Sequence, residues 1–407
     1  MFACCAGLDV HKKTVVACVM VSSDDGQVQK HAQTFGTMTP DLLALGDWLK
    51  GLGVTHVAME SSGVYWRPIY QLIEDLFKLL VVNATHIKRM PGRKTDMTDA
   101  EWLAELLRHG LLAPSFVPPR PQRELRELTR HRTSLMEKRS QAVNELHRTL
   151  EGTNLKLTSV ATDITGVSAM LMLQSLLSGQ ETDPKTLADL AIGKLRRKIP
   201  DLEKALQGKV LEHHKLILAQ LLADIDLFDE QAEAVSALIE QRLSQQRELI
   251  GRLDEIPGIN RRNAEVLLAE LGTDMNRFPS DRHAAAWAGL CPSNKESGGR
   301  RYAARSRQGN KPLKRALTES GLAAGKTKDT YLGAQYRRIG ARRGKKRAAL
   351  AVGHSILRIA YHIIKEGTTY YDLGPNYFDR RNQASVTRRL VKRLEGLGYT
   401  VELKKVA

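Results

Sequence analysis

Apolar positions in the first third of the chain fall into short runs separated by turn signals. Cys4–Val10 is apolar throughout and Thr14–Val21 is rich in β-branched residues. A turn signal, SSDDGQ at 22–27, precedes a third expected strand, Val28–Phe35. A helix is expected over Pro40–Leu49, stopped by the glycines of GLG at 51–53. A strand (Thr55–Glu60), a helix (Tyr65–Phe77) and a strand (Lys78–Asn83) follow. Leu103, Leu106, Leu107 and Leu111 then recur at helical spacing behind the stretch KTDMTDAEWLAE, 94–105. A proline-rich break, PSFVPPRPQR at 114–123, ends this domain. Glu124–Leu150 is charged, with a ragged stripe of Leu125, Leu128, Leu135, Val143, Leu146 and Leu150. A second long helix runs from Leu216 to Leu253, where Leu218, Leu221, Ile225, Phe228, Ala232, Val235 and Ile239 alternate threes and fours, a heptad. The two pair as an antiparallel coiled-coil stalk, within one chain or across a dimer; plain helical packing explains the same pattern. Residues 155–210 form a helical insert rich in Leu and Lys, and 347–365 read as a buried helix. A basic helix, Ser385–Leu397, and a short strand, Tyr399–Lys404, end the chain.

Three strands joined by tight turns, then alternating helices and strands, predict an α/β domain of ribonuclease-H type: a mixed sheet with flanking helices. The expected division is 1–115 for this domain, 116–250 for the stalk with its insert, and 251–407 for a mainly α-helical domain.

Composition narrows the partners. A chain of 407 residues with 42% hydrophobic and 26% charged residues folds into globular domains. Its net charge of +17 and isoelectric point near 9.7 point to a polyanion, nucleic acid first. Nowhere is there an apolar run of the 18 or so residues that a bilayer requires, and MFACCAGLDVHKK lacks the basic start of a signal peptide. Cys4, Cys5, Cys18 and Cys291 show no C-x-x-C spacing, which argues against a zinc site and for a reducing, cytoplasmic setting.

The acids carry the chemistry. Asp9 ends the first strand in the apolar context GLDV, and Glu60 ends the fourth in VAMESSG. Asp96 and Asp99, three apart at a helix mouth, continue the apolar stripe and so are expected on its inward side. Singly, each has an ordinary role: Asp9 in a turn, Asp96 or Thr98 as an N-cap, Asp99 and Glu60 facing helix dipoles. Together they form an all-oxygen donor set suited to two hard divalent cations, the arrangement that serves phosphoryl transfer.

The cations supply the other half. In DEIPGINRRNAEVLLAEL, 254–271, a helix, a Pro-Gly turn and a helix resemble a helix–hairpin–helix, with Arg261 and Arg262 placed for a phosphate. Ser297 precedes Gly298 and Gly299 amid Arg300, Arg301, Arg305, Arg307, Lys311, Lys314 and Arg315. A serine in such a loop either binds phosphate or attacks it, and the residues alone favour binding. Ser293 is a rival, and no histidine in the stretch is an evident base. The density of basic residues favours a nucleic-acid groove over a solvated face.

At this point the sequence resembles the DEDD transposases of the IS one-ten insertion sequences. GLDVHKK (7–13), MESSGVYWRP (59–68), GRKTDMTDAEWLAELLRHG (92–110) and IPGINRRNAEVLLAELG (256–272) carry the likeness. So do AAWAGLCPSNKESGGRR (285–301) and RSRQGNKPLKRAL (305–317). The resemblance implies a RuvC-like domain whose DEDD set falls on Asp9, Glu60, Asp96 and Asp99 and holds Mg²⁺ or Mn²⁺. It places the family's nucleophilic serine on Ser297, and it is this, rather than spacing, that moves Ser297 from binding to attack. It also implies DNA strand exchange guided by a noncoding bridge RNA that pairs with donor and target DNA. A dimer or a tetramer built as a dimer of dimers, with a composite site and no membrane, completes what it implies. Two other classes remain: a RuvC-like two-metal nuclease or junction resolvase without a covalent intermediate, and a non-catalytic nucleic-acid scaffold. The insert at 155–210 and the C-terminal tail are longer than in a minimal member.

Overall fold

The computed structural model describes residues 2–23, 27–61, 63–87, 90–91, 97–179, 183–292, 296–301 and 306–404. The chain divides into two compact units, Met1–Pro119 and Arg120–Ala407. The first holds β1 (Cys4–Val10), β2 (Thr14–Ser22), β3 (Val28–Gly36), α1 (Thr39–Gly51), β4 (His56–Glu60) and α2 (Trp66–Ile73). After these come β5 (Lys78–Val82), the helical turn α3 (Ala84–Ile87), α4 (Asp99–Arg108) and the two-residue β6 (Pro114–Ser115). They form one six-stranded sheet in the order β3-β2-β1-β4-β5-β6. β1 is antiparallel to β2 and parallel to β4, and β4 is parallel to β5. One face packs Ala6, Leu8, Val57 and Met59 against Leu42, Leu45 and Leu49 of α1 and Ile69 and Ile73 of α2. The other packs Cys5, Cys18, Ala58 and Val82 against Leu103, Ala104 and Leu107 of α4. The apolar run of β1 read from the sequence serves both faces, since alternate side chains enter opposite buried layers.

Local departures have physical causes. α2 stops at Ile73, short of the expected Phe77, because Phe77 is buried in the α1–α2 side of the sheet and the chain leaves the helix to reach it. α4 stops at Arg108, and Gly110 adopts φ 68°, so Leu111 falls beyond the stripe and is 52% exposed. The proline-rich break contributes β6, which pairs with the end of β5.

The second unit opens with α5 (Arg120–Gly152), followed by α6 (Leu157–Val160), α7 (Val167–Ser178), α8 (Pro184–Asp189) and α9 (Ile199–Ala205). α10 (Glu212–Arg242) returns along α5; Arg132–Ser236, Arg139–Asp229 and Glu124–Arg242 pairings show the two running antiparallel. The expected long helix to Leu253 is broken: Leu243 is buried, a 3₁₀ turn covers Ser244–Gln246, and α11 (Arg247–Asp254) starts anew. The break lets Leu243 and Ile250 enter a core separate from the one that α5, α10 and the insert share.

That core also takes α12 (Arg261–Leu271), α13 (Asp281–Trp287), α14 (Lys311–Ala324), α15 (Tyr331–Arg343) and α16 (Lys345–Glu366). A two-strand hairpin, β7 (Glu296–Ser297) and β8 (Arg300–Arg301), precedes α14. α17 (Tyr377–Arg381) and α18 (Gln383–Glu395) close the chain. Residues 399–404 are not a strand; among the described residues no strand pairs with them, and the Tyr399 amide donates to the Leu394 carbonyl. Among the described residues no helix is long and apolar enough to cross a membrane.

Candidate active site

Two strand ends and a helix mouth build the acidic half. β1 and β4 are parallel neighbours with Leu8 opposite Met59, so the next residues, Asp9 and Glu60, stand side by side at the same end of the sheet, each still paired on its other side, Asp9 with Val16 and Glu60 with Val82. Alternation puts Asp9 on the same face as Gly7 and Cys5, the face α4 covers. α4 runs opposite to β1: Cys5 Sγ points to the Ala104 carbonyl, and the Phe2 amide donates to the Arg108 carbonyl. A Cβ on Gly7 would stand 2.2 Å from the Ala100 carbonyl oxygen, so the helix backbone rests on that glycine. The first residue of α4, Asp99, therefore lies toward the Asp9 end of β1.

Asp99 is exposed rather than on the buried stripe, and Thr98 caps the helix, its Oγ1 accepting from the Glu101 amide at 3.2 Å. Capping decides the matter: Thr98 and Asp99 stand at the exposed start of the helix, and the turn that the sheet covers begins at Ala100. Asp96 lies outside the described residues. Asp9 is partly buried, its side chain 23% exposed, with Oδ2 3.0 Å from Nε2 of His11. Among the described residues, no three of His, Cys, Asp and Glu stand close enough together to hold an ion. The donor types still suit a hard cation: Asp9, Glu60 and Asp99 offer only oxygen and come from three elements at one end of the sheet.

Ser297 lies in the second unit. The β7–β8 turn is Gly298–Gly299, with φ 57° and 72°, the two-residue hairpin geometry that glycine adopts without strain. A Cβ at either glycine would meet nothing within 4 Å, so the turn is open and its glycines answer to backbone shape. Pro292 and Ser306 bridge the base of this loop, and Lys314 Nζ donates to Ser306 Oγ at 2.6 Å. Ser293 and Arg305 lie outside the described residues.

The proposed cations divide. Arg300 and Arg307 are exposed. Lys311 lines a groove of about 280 Å³ with Arg130 and Arg315, and Arg262 lines an adjoining one of about 440 Å³. Arg261 is held by Glu240 at 2.8 Å and Glu265 at 3.2 Å, which raise its pKa, so a phosphate would share it with two carboxylates. Gly258, in the Pro-Gly turn, has φ 91°, and a Cβ there would stand 2.2 Å from the Ser320 carbonyl oxygen. That side of the turn is occupied by α14.

Two family comparisons bear on this arrangement. Residues 6–155, with all four acids, match a family model described as "Transposase", and residues 251–337, with Ser297, match one described as "Transposase IS116/IS110/IS902 family". The chain belongs to the IS110 family of transposases. A Streptomyces coelicolor protein named "Insertion element IS110 uncharacterized 43.6 kDa protein" is 31% identical over 161 residues, 38% of each chain. A Pseudomonas aeruginosa "Probable family 20 transposase" is 23% identical over 330 residues, 80% of this chain and 88% of that relative.

Sequence reasoning missed what anchors the loop that carries Ser297. α12 is buried on every side from Ala264 to Leu271, and its two carboxylates, Glu265 and Glu270, are buried with it. Glu270, 0% exposed, accepts from Arg130 Nε at 2.7 Å and its terminal nitrogen at 2.9 Å, and from Asn310 Nδ2 at 2.6 Å. Arg126 adds a contact at 3.3 Å; burial pushes its guanidinium down to about 10, opposed by Glu270. Glu265 is met by Arg132 Nη1 at 2.6 Å. Buried carboxylates need such partners. Asn310 also caps α14 through the Leu313 amide, so the residue ending the serine loop is tied to a buried charge. The one sequence signal was the polar Thr129 and Arg132 interrupting the apolar stripe of α5.

Proposed function

We propose that this transposase cleaves and rejoins DNA strands through Ser297, with a divalent cation held by Asp9, Glu60, Asp96 and Asp99. The observation that carries the acidic half is the register that sets Asp9 beside Glu60 at one sheet edge, near the mouth of α4. Ser297 Oγ attacks a backbone phosphorus and loses its proton; the P–O bond to the leaving strand breaks, and that strand departs as a hydroxyl. A hydroxyl from the incoming strand then attacks the phosphoserine, and the serine leaves with a proton restored. Mg²⁺ or Mn²⁺, when bound, neutralises charge on the phosphoryl oxygens. The sheet order supports a RuvC-like domain, α5 with α10 a coiled-coil stalk, and α11 with α12 a helix–hairpin–helix. Donor and target DNA, a noncoding bridge RNA and further copies of the chain in a dimer or tetramer are the partners, in the cytoplasm. Base pairing would choose the sites, leaving the protein mainly backbone contacts.

The second reading is a two-metal endonuclease or resolvase that uses water. It is favoured by the acids belonging to a compact unit of their own. A denaturing-gel search for a protein–DNA adduct separates the two. With the RNA from the element's flank, both DNA substrates and Mg²⁺, wild type should form an adduct that Ser297→Ala loses. Asp96→Ala, or chelation of the cation, should abolish cleavage while RNA binding persists. Cleavage without an adduct that survives Ser297→Ala would overturn the serine and leave the nuclease.

A further inference from the structure

A positive patch that the proposed chemistry does not use lies at the α15–α16 turn. Between Asp329 and Glu366 the chain carries no Asp or Glu. Within that span Arg342 and Arg343 end α15, Gly344 turns at φ 84°, and Lys345, Lys346 and Arg347 begin α16. All five cations are exposed, and among the described residues none has a carboxylate within ion-pair distance. Three of them sit in the first turn of a 22-residue helix with no acid and no side-chain cap, where the helix dipole opposes positive charge. Folding alone gains nothing from that placement. An anionic partner would reverse its sign.

A second wall faces this turn. α17 and α18 bring Arg389 to a groove of about 420 Å³ lined with Arg337, Arg338 and Arg342. Asp379 is the acid there, 3.9 Å from Arg338, whose guanidinium lies over the Phe378 ring. Arg337 spends one terminal nitrogen on the Thr327 carbonyl at 3.1 Å, and Arg342 and Arg389 present forks suited to phosphate oxygens. The neighbouring rings engage one another, Tyr331 stacked on Phe378 and edge-on to Tyr377, so these rings offer no open platform for unpaired bases. Few neutral donors accompany the cations, which disfavours reading of base edges or 2′-hydroxyls.

We propose that the α15–α16 turn, with α17 and α18, is a separate duplex-DNA contact that grips the phosphate backbone irrespective of sequence. Most of it lies past residue 337, where the second family match ends. The claim concerns binding alone, so it stands or falls without strand cleavage.

The test is fluorescence anisotropy with the full chain, without divalent metal, on an arbitrary DNA duplex and the matching RNA duplex across a salt series. The variant carries Arg342→Ala, Arg343→Ala, Lys345→Ala and Lys346→Ala. A control of equal charge carries Lys185→Ala, Lys194→Ala, Arg197→Ala and Lys204→Ala, all exposed on the insert. The patch variant should bind duplex DNA roughly tenfold or more weakly near 0.15 M salt, with a log–log salt slope shallower by about 2–4. The control should stay within about threefold of wild type. Equal losses in both variants, an unchanged slope in the patch variant, or a larger loss on RNA than on DNA would each overturn the assignment. Arg389→Ala, on the facing wall, should lower DNA affinity in the same direction, and no change there would remove α18 from the contact.

Discussion

At Gly7 a side chain has nowhere to go. A Cβ would meet the Ala100 carbonyl at 2.2 Å, the Ala104 amide nitrogen at 2.5 Å and Leu103 Cβ at 2.8 Å. Two of these are helix backbone and cannot rotate aside. Gly7→Ala should therefore lift α4 off β1 and destabilise the sheet unit by about 1–3 kcal/mol or more, read by denaturant unfolding. A midpoint equal to wild type would mean that α4 does not rest there. Glu270 poses the opposite problem, since its site needs the group present. Glu270→Ala would leave Arg130 without its carboxylate and Arg126 with only the backbone carbonyls of residues 269 and 270, and should cost about 3–5 kcal/mol. Glu270→Gln, which keeps an oxygen for Asn310, should cost less. Equal losses for the two would show that volume, not charge, holds the site.

Among elements, the strands were legible because each splits its side chains between two buried faces or one face and solvent. The α5–α10 seam was legible for the same reason at a helical period. What periodicity could not supply was where a partner sits. Arg132 interrupts the α5 stripe, and only the tertiary fold sets Glu265 of α12 against it. The end of α10 at Arg242 depends on which core claims Leu243, a tertiary choice. The acids at Asp9 and Glu60 could be ordered along the chain, yet their adjacency comes from β1–β4 register.

The same strands make a pH prediction. Cys5 on β1 and Cys18 on β2 lie under α4, and burial raises their thiols from 9.0 to about 12 and about 11. Below pH 9 both folded and unfolded thiols are protonated, and the stability is fully present. As pH rises through 9 the unfolded chain ionises first, so stability is lost progressively toward pH 11–12. Unfolding midpoints should fall between pH 8.5 and 10.5, and less steeply in Cys5→Ala/Cys18→Ala. Both thiols should also resist alkylation at pH 8 until the sheet unfolds. An alkaline loss identical in wild type and double variant would assign it elsewhere.

For the whole molecule, the cores decide how disturbances spread. Two clusters are built wholly from residues before Arg120 and two wholly from residues after it. Gly7 belongs to the first group's sheet and Glu270 to the second group's buried helix, with no shared partner. Their effects should therefore add within about 0.5 kcal/mol. The chain carries its own reporters for this. Trp48, Trp66 and Trp102 lie in the first unit and Trp287 alone in the second, whereas the second unit is almost entirely helical. Tryptophan fluorescence should thus follow mainly the sheet, and circular dichroism at helical wavelengths mainly the helices. Gly7→Ala should move the fluorescence transition and leave most of the helical signal in place, together with metal-free DNA binding. Glu270→Ala should do the reverse, and the double variant should show both shifts unchanged in size. If either single variant moved both transitions together, the two units would be one cooperative body. Loss of cleavage in Gly7→Ala could then no longer be traced to the acids at the sheet edge.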